Sequence, residues 1–144
     1  MKTWVHLLVS SLLALLLYPF FSFRVLLILV GGVLIDIDHY LWYIWKYKRF
    51  NPIETYKFYV KNMETNDFTN VYGILLIFHT IEFLLAMILL SFYNQLVLVF
   101  IIGLLSHYLL DAIFLYLVPK QFIVNHSIIW WIIKNKENSK SLNK

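Results

Sequence analysis

The residues of this chain best suited to chemistry are three pairs, each made of one acid and one histidine. The pairs are Asp36 with His39, His79 with Glu82, and His107 with Asp111. Each pair is separated by three or four positions, a spacing that places two side chains on one face of a helix. With only five histidines among 144 residues, three such pairs are improbable by chance. We therefore treat them as a candidate functional site.

Imidazole and carboxylate groups together are typical ligands of divalent metal ions. Helical bundles hold dinuclear centres with acid and histidine pairs of this kind. The chain has no cysteine, which excludes disulfides and thiolate ligands. We predict one or two divalent ions, with zinc as the best fit. The predicted ligands, which include an early histidine, are His6, Asp36, His39, His79, His107 and Asp111.

The roles of two further carboxylates stay open at this stage. Glu82 and Asp38 are candidate catalytic groups, either as general base or as additional ligands. On a regular helix Asp38 lies about 160° from Asp36. Either the Gly31–Gly32 pair loosens the backbone, or Asp38 serves another face or a second metal position. Whether His126, outside the apolar segments, joins the site is also open.

The composition indicates that these groups lie in a membrane protein. Hydrophobic residues make up 61% of the chain and charged residues 14%, whereas soluble domains have about 45–50% and about 25%. This excludes a soluble globular domain and a disordered chain. Continuous apolar runs at 4–20, 25–45, 71–93 and 96–118 are long enough to span a bilayer as helices. We predict an all-α membrane protein, a four-transmembrane-helix bundle with short amphipathic or interfacial helices.

Basic residues are divided unequally between the two sides of such a bundle. The side with both termini would hold 11 lysines and arginines, and the other side would hold only Arg24. The positive-inside rule then places both termini in the cytoplasm. The expected location is the cytoplasmic, or inner, membrane, with several crossings. The net charge of +4 is explained by this orientation, and we expect no nucleic-acid partner.

Outside the runs, the sequence predicts shorter elements of one membrane domain over residues 1–133. Asn51 and Pro52 resemble a helix cap and a first-turn proline. The following apolar residues share one helical face, which indicates an amphipathic helix at the membrane surface; they are Ile53, Tyr56, Val60 and Met63. Residues 122–133 are apolar but short, and we expect them at the interface. The polar tail, residues 134–144, is predicted to be disordered.

At the acid and histidine residues, the sequence resembles the YdjM-like family of membrane-bound metal-dependent hydrolases. The matching pieces, in order, are His6, the segment 31–39 that ends in D-I-D-H, His79, and the H-x-x-x-D of His107 and Asp111. Ile35 stands where the family usually has proline, and the third segment lacks the second histidine of many members. The order of residues is also similar, more distantly, to zinc-dependent phospholipase C proteins. The resemblance implies metal-dependent hydrolysis of a lipid phosphoester.

Three functions are compatible with these residues. The first is a metal-dependent hydrolase that acts at the cytoplasmic face on a membrane lipid, either a phospholipid or a similar amphiphilic ester or phosphoester. The second is a metal or proton transporter, because histidines and acids within membranes also form ion pathways. The third is a non-catalytic membrane adaptor whose basic loop recruits partners. The predominantly apolar outer halves of the runs favour the first.

Overall fold

Helices form most of the chain that the structure, a computed structural model, describes: residues 2–65, 67, 69–71, 73–117 and 124–142. The α-helices are α1 (Thr3–Phe21), α2 (Leu26–Gly32), α3 (Ile37–Tyr47), α4 (Pro52–Thr65), α5 (Ile81–Ser91), α6 (Gln95–Leu117) and α7 (Ile128–Leu142). Short 3-10 turns cover Ser22–Val25, Leu34–Asp36, Thr69–Val71 and Ile77–His79. Two short strands, β1 (Ile74–Leu75) and β2 (Val124–Asn125), pair in parallel.

Two stretches of the described residues are long and apolar enough to cross a membrane. They are Thr3–Tyr47, which contains α1 to α3, and Gln95–Phe114 within α6. The run predicted at 71–93 is not one continuous helix. Its helical part, α5, has 11 residues and is about 16 Å long, whereas the hydrocarbon core is about 30 Å thick. The structure therefore does not confirm four complete helical spans.

The first long stretch folds back on itself at Ser22. This residue has a φ of 50°, which ends α1 and begins a 3-10 turn. Pro19 lies inside α1 and does not end the helix. Helices α1 and α2 run antiparallel, because Ala14 in the second half of α1 packs with Val25 and with Ile28 near the start of α2. Arg24 then donates a hydrogen bond of 2.7 Å to Gln95, which ties the turn to the start of α6.

Helices α2 and α6 approach closely because glycines lie where they cross. A Cβ atom at Gly31 would collide with the carbonyl oxygen of Phe100, and one at Gly103 would collide with that of Ile28. Small residues at such crossings allow backbones to come together. The contact continues along α6 to His107, which hydrogen-bonds to the carbonyl oxygen of Gly32. This crossing therefore sets the position of His107.

The chain breaks between α2 and α3, just before the two acids of the D-I-D-H segment. Helix α2 ends at Gly32, and Val33 has a non-helical φ of −132°. A 3-10 turn then leads into α3. Asp36 and Asp38 are therefore not two positions on one regular helix. Both carboxylates lie within 3.5 Å of the imidazole of His39.

Helix α4 begins as predicted. Asn51 accepts hydrogen bonds from the backbone N–H groups of Ile53 and Glu54, which confirms the predicted cap. Of the predicted apolar face, Ile53 is 63% exposed, whereas Tyr56, Val60 and Met63 line a cavity. The buried residues of α4 are Thr55 and Asn62.

Part of the C-terminal segment is helical. Helix α7 continues to Leu142, so it includes most of the tail that was predicted to be disordered. Within the predicted interfacial segment 122–133, residues 122 and 123 lie outside the described residues. Trp130 lies in the first turn of α7 and is 61% exposed. The start of this helix contacts α5 through Glu82, as described below.

Candidate metal centre

The structure brings together the six residues predicted as ligands, although they come from five separate elements. Three overlapping groups have ligand atoms within 4.8 Å of one another. The groups are His6, His107 and Asp111; Asp36, His79 and His107; and Asp38, His39 and His79. These buried and half-buried groups could hold a metal ion. The tautomer of each histidine decides which of its atoms are available as ligands.

His107 is fully buried and has one nitrogen available as a ligand. Its Nδ1 lies 2.9 Å from the carbonyl oxygen of Gly32. A carbonyl oxygen can only accept, so Nδ1 carries the proton. The lone pair is then on Nε2, which lies 3.2 Å from Asp111 Oδ2 and 3.5 Å from Asp36 Oδ1. A backbone carbonyl that orients a ligand histidine in this way is common in metal sites.

His79 has the same arrangement, with a carboxylate in place of the carbonyl. Its Nδ1 lies 3.0 Å from Asp38 Oδ2. Its Nε2 lies 3.2 Å from His107 Nε2 and 3.5 Å from Asp36 Oδ1. The carboxylates of Asp36 and Asp38 thus lie beside this imidazole, at 3.5 and 3.0 Å. The cluster therefore attracts a cation to this position, either a proton or a metal ion that displaces it.

Asp38 acts as an orienting carboxylate in this network. Its Oδ1 accepts from His39 Nδ1 at 2.9 Å, and its Oδ2 accepts from His79 Nδ1 and from the backbone N–H of Phe78 at 3.2 Å. The contacts within the third group, Asp38, His39 and His79, are thus N–H···O hydrogen bonds. In this group the nitrogen lone pairs are not directed at one ion. A carboxylate bound to the outer nitrogen of a ligand histidine fixes its tautomer and raises its basicity.

His6 lies at one side of the cluster. Its ring stacks on that of His107, with centroids 3.9 Å apart. Its Nε2 lies 3.2 Å from Asp111 Oδ1 without the alignment of a hydrogen bond. Its Nδ1 is buried and has no hydrogen-bond partner among the described residues. The other carboxylate oxygen of Asp111 is directed at His107. Asp111 therefore lies between His6 and His107.

Glu82 is not part of the cluster. Its carboxylate accepts from Ser127 Oγ at 2.6 Å and from the backbone N–H groups of Ile128 and Ile129. Ser127 Oγ and the two backbone N–H groups thus stabilise the ionised form of Glu82. His79 and Glu82 do not share a helix face, because His79 belongs to a 3-10 turn that ends before α5. Glu82 therefore binds the start of α7.

Two tyrosines that the sequence analysis did not select support the histidines. Tyr59 of α4 donates to the carbonyl oxygen of His39 at 3.2 Å, and their rings meet edge to face. Tyr108 donates to the carbonyl oxygen of Phe78 at 2.5 Å. Burial raises the pKa of Tyr59, so it remains a hydrogen-bond donor. The two contacts join residues that are 20 and 30 positions apart in the chain. Periodic spacing in the sequence does not indicate contacts over such distances.

A cavity of about 550 Å³ adjoins the cluster, a size within the range of small-molecule sites. Asp36, His39, His79 and Asp111 form one part of its lining. Most of the remaining lining is apolar and comes from α3, α4 and the segment around β1. His126 also lines the cavity but belongs to none of the three ligand groups. These four candidate ligands are therefore accessible to a molecule that enters this cavity, whereas His6 and His107 are fully buried.

Comparison of the chain with protein-family models, with curated proteins and with solved structures found no match in any of the three.

Proposed function

We propose that the protein is a metal-dependent hydrolase of the cytoplasmic membrane that acts on a phospholipid or a similar amphiphilic ester or phosphoester. One observation carries the proposal. Four potential ligand atoms lie near one another: Nε2 of His79, Nε2 of His107, Oδ1 of Asp36 and Oδ2 of Asp111. The two nitrogens are 3.2 Å apart, and each lies 3.2 to 3.9 Å from both oxygens.

These separations fit one ion. Ligands about 2.0–2.1 Å from a tetrahedral zinc ion are about 3.3–3.4 Å apart. Two histidines and two carboxylates, without thiolate, suit zinc but also other first-row divalent ions. Asp111 Oδ1 and His6 offer a neighbouring position for a second ion. When bound, such an ion polarises a phosphoryl or acyl oxygen and lowers the pKa of water toward about 7.

The remaining residues support binding and proton transfer. Asp38 holds His39 at 2.9 Å, and His39 is half-buried and lines the cavity. A histidine oriented by a carboxylate is a suitable general base. We assign proton transfer to His39 with Asp38 as its positioning partner, and Glu82 to the attachment of α7. His39 would then act as a base in place of its expected role as a ligand.

The topology is part of the same proposal. We retain four crossings with both termini in the cytoplasm, because this arrangement divides the basic residues 11 to 1 in agreement with the positive-inside rule. Since α5 alone is too short, the segment Ile74–Thr80 would complete the third crossing. Ile74, Leu76, His79 and Thr80 in this segment are buried, and irregular backbone at membrane depth is tolerated where protein covers it.

The experiment is a lipid hydrolysis assay on metal-loaded protein in mixed micelles, with elemental analysis of the same sample. We expect product from at least one lipid ester or phosphoester, loss of product on chelation, and recovery when metal is restored. His107→Ala should abolish both metal and turnover. Ser106→Ala is the matched control, because Ser106 is adjacent and hydrogen-bonds only within α6. Metal-dependent ion flux into proteoliposomes without turnover would instead support the transporter.

A further inference from the structure

We propose that the wall of the cavity formed by α4 is a binding site for the apolar tail of an amphiphile with an anionic head group. The inference deepens the proposed function and rests on it for the chemistry at the head group. From α4, the cavity is lined by Tyr56, Tyr59, Val60 and Met63. The facing wall includes Val71 and Leu76.

The shape of this wall favours a chain over a compact solute. The residues of α4 that line the cavity extend from Pro52 to Met63. At 1.5 Å per residue they cover about 16 Å along the helix axis. The wall is therefore long and mainly apolar, and an extended hydrocarbon chain could bury its surface against it.

Tyr59 marks the junction between the tail site and the metal centre. Its hydroxyl binds the backbone of His39, and its ring contacts the imidazole edge to face. On the other side, Tyr59 packs on the apolar cluster of Val71, Ile74 and Leu76. Met63 lies one helical turn beyond Tyr59. A molecule with its head at the cluster would therefore extend its tail past Tyr59 toward Met63.

The charges at the cluster determine which head group fits. Asp36 and Asp111 line the cavity, and no lysine or arginine is among the described lining residues. The carboxylates would repel an anion unless a divalent cation were bound between them. With the cation present, an anionic head group becomes the complementary ligand. Tail binding should thus depend on α4, and head-group binding should depend on the metal.

The test measures binding of n-alkyl phosphates of increasing chain length to the metal-loaded full-length protein in nanodiscs. We expect affinity to rise with chain length until the cavity is filled, and to fall when the metal is removed. Val60→Trp and Met63→Trp should reach this plateau at a shorter chain. If the indole displaces two methylenes, the longest chains should bind about tenfold more weakly.

Controls separate the tail site from general effects on α4. Lys57→Trp and Glu64→Trp add the same bulk at exposed positions of this helix and should bind like the wild type. Met63→Ala enlarges the cavity and should move the plateau to longer chains, which tests the site even if a tryptophan variant fails to fold.

The outcomes also distinguish this inference from the proposed hydrolase. Chain-length dependence that shifts at Val60 and Met63, without turnover of any lipid, would support the tail site and contradict the hydrolase. Turnover with a chain-length preference that none of these variants changes would overturn the tail site alone.

Discussion

His79 and His107 direct their Nε2 atoms at each other across 3.2 Å, although 28 positions separate them in the chain. The Nδ1 atom of His79 is bound to Asp38, and that of His107 to the carbonyl oxygen of Gly32. Two lone pairs held this close repel each other unless a cation lies between them. Asp36 and Asp111 supply the negative charge that attracts one.

The first prediction is that the two histidines share a single ion. His79→Gln and His107→Gln should each lose most of the metal bound at this position, and the double variant should lose little more. Non-additivity of this kind is expected for residues that act on one ligand. Elemental analysis of the three purified variants measures it. If each single variant kept about half of the wild-type metal, the histidines would bind separate ions.

The second prediction concerns Asp38 as an orienting group. Asp38→Asn removes the charge that fixes the tautomers of His39 and His79, and should weaken metal binding by about 10–100-fold. Competition with a chromophoric chelator measures the affinity. Asp67→Asn is the control, because Asp67 is exposed and bonds to Thr69. An unchanged affinity in Asp38→Asn would exclude the orienting role.

The third prediction concerns the crossing of α2 and α6. Gly103→Ala places a methyl group against the carbonyl oxygen of Ile28, and overpacking of this kind typically costs about 1–3 kcal/mol. The displacement should also separate His107 from Gly32 and lower metal affinity. Thermal unfolding in detergent and metal titration measure the two effects. Ala substitution at Ser91, at the end of α5, should change neither by a comparable amount.

The fourth prediction assigns Glu82 to stability instead of catalysis. Glu82→Gln should retain metal and most turnover, but should loosen the start of α7. The stabilisation depends on the ionised carboxylate, which accepts from Ser127 Oγ and from two backbone N–H groups, and protonation at acidic pH weakens these hydrogen bonds. Proteolysis near Ser127 should therefore distinguish variant and wild type at neutral pH, and progressively less at acidic pH.

A large loss of turnover with full metal content in Glu82→Gln would contradict this assignment and restore Glu82 as the general base. Loss of metal instead would make it a ligand. Ser127→Ala provides an independent check, because it removes the donor of the shortest hydrogen bond to Glu82 without changing the carboxylate.

The fifth prediction concerns orientation in the membrane. The chain has no native cysteine, so single cysteines report their side directly. A cysteine at Asn94, in the turn between α5 and α6, should react with an impermeant reagent applied to intact cells. A cysteine at Asn135, on α7, should react only after permeabilisation. The reverse pattern would invert the topology.

The chemical character of the site was predictable because it depends on residue types and local spacing. An acid in apolar surroundings costs free energy unless it has a partner. The histidines three or four positions away in the sequence were the predicted partners. Five of the six ligand candidates were identified on this basis and His6 as an additional early histidine, and the structure brings the six together. The apolar runs likewise identified the two long stretches that could cross a membrane. Asn51 was recognisable as a cap, because capping involves only neighbouring residues.

The arrangement of the site was decided by contacts between distant residues. Periodicity assumes an unbroken helix, so it could not show that Asp36, in a 3-10 turn, and Asp38, in α3, both reach His39. The same assumption assigned Glu82 to the face of His79, whereas the turn before α5 directs Glu82 to Ser127. Local composition also could not predict that β2 would pair with β1 and that α7 would be held by Glu82. These pairings form only when segments some 50 positions apart meet, and therefore only the tertiary structure determines them.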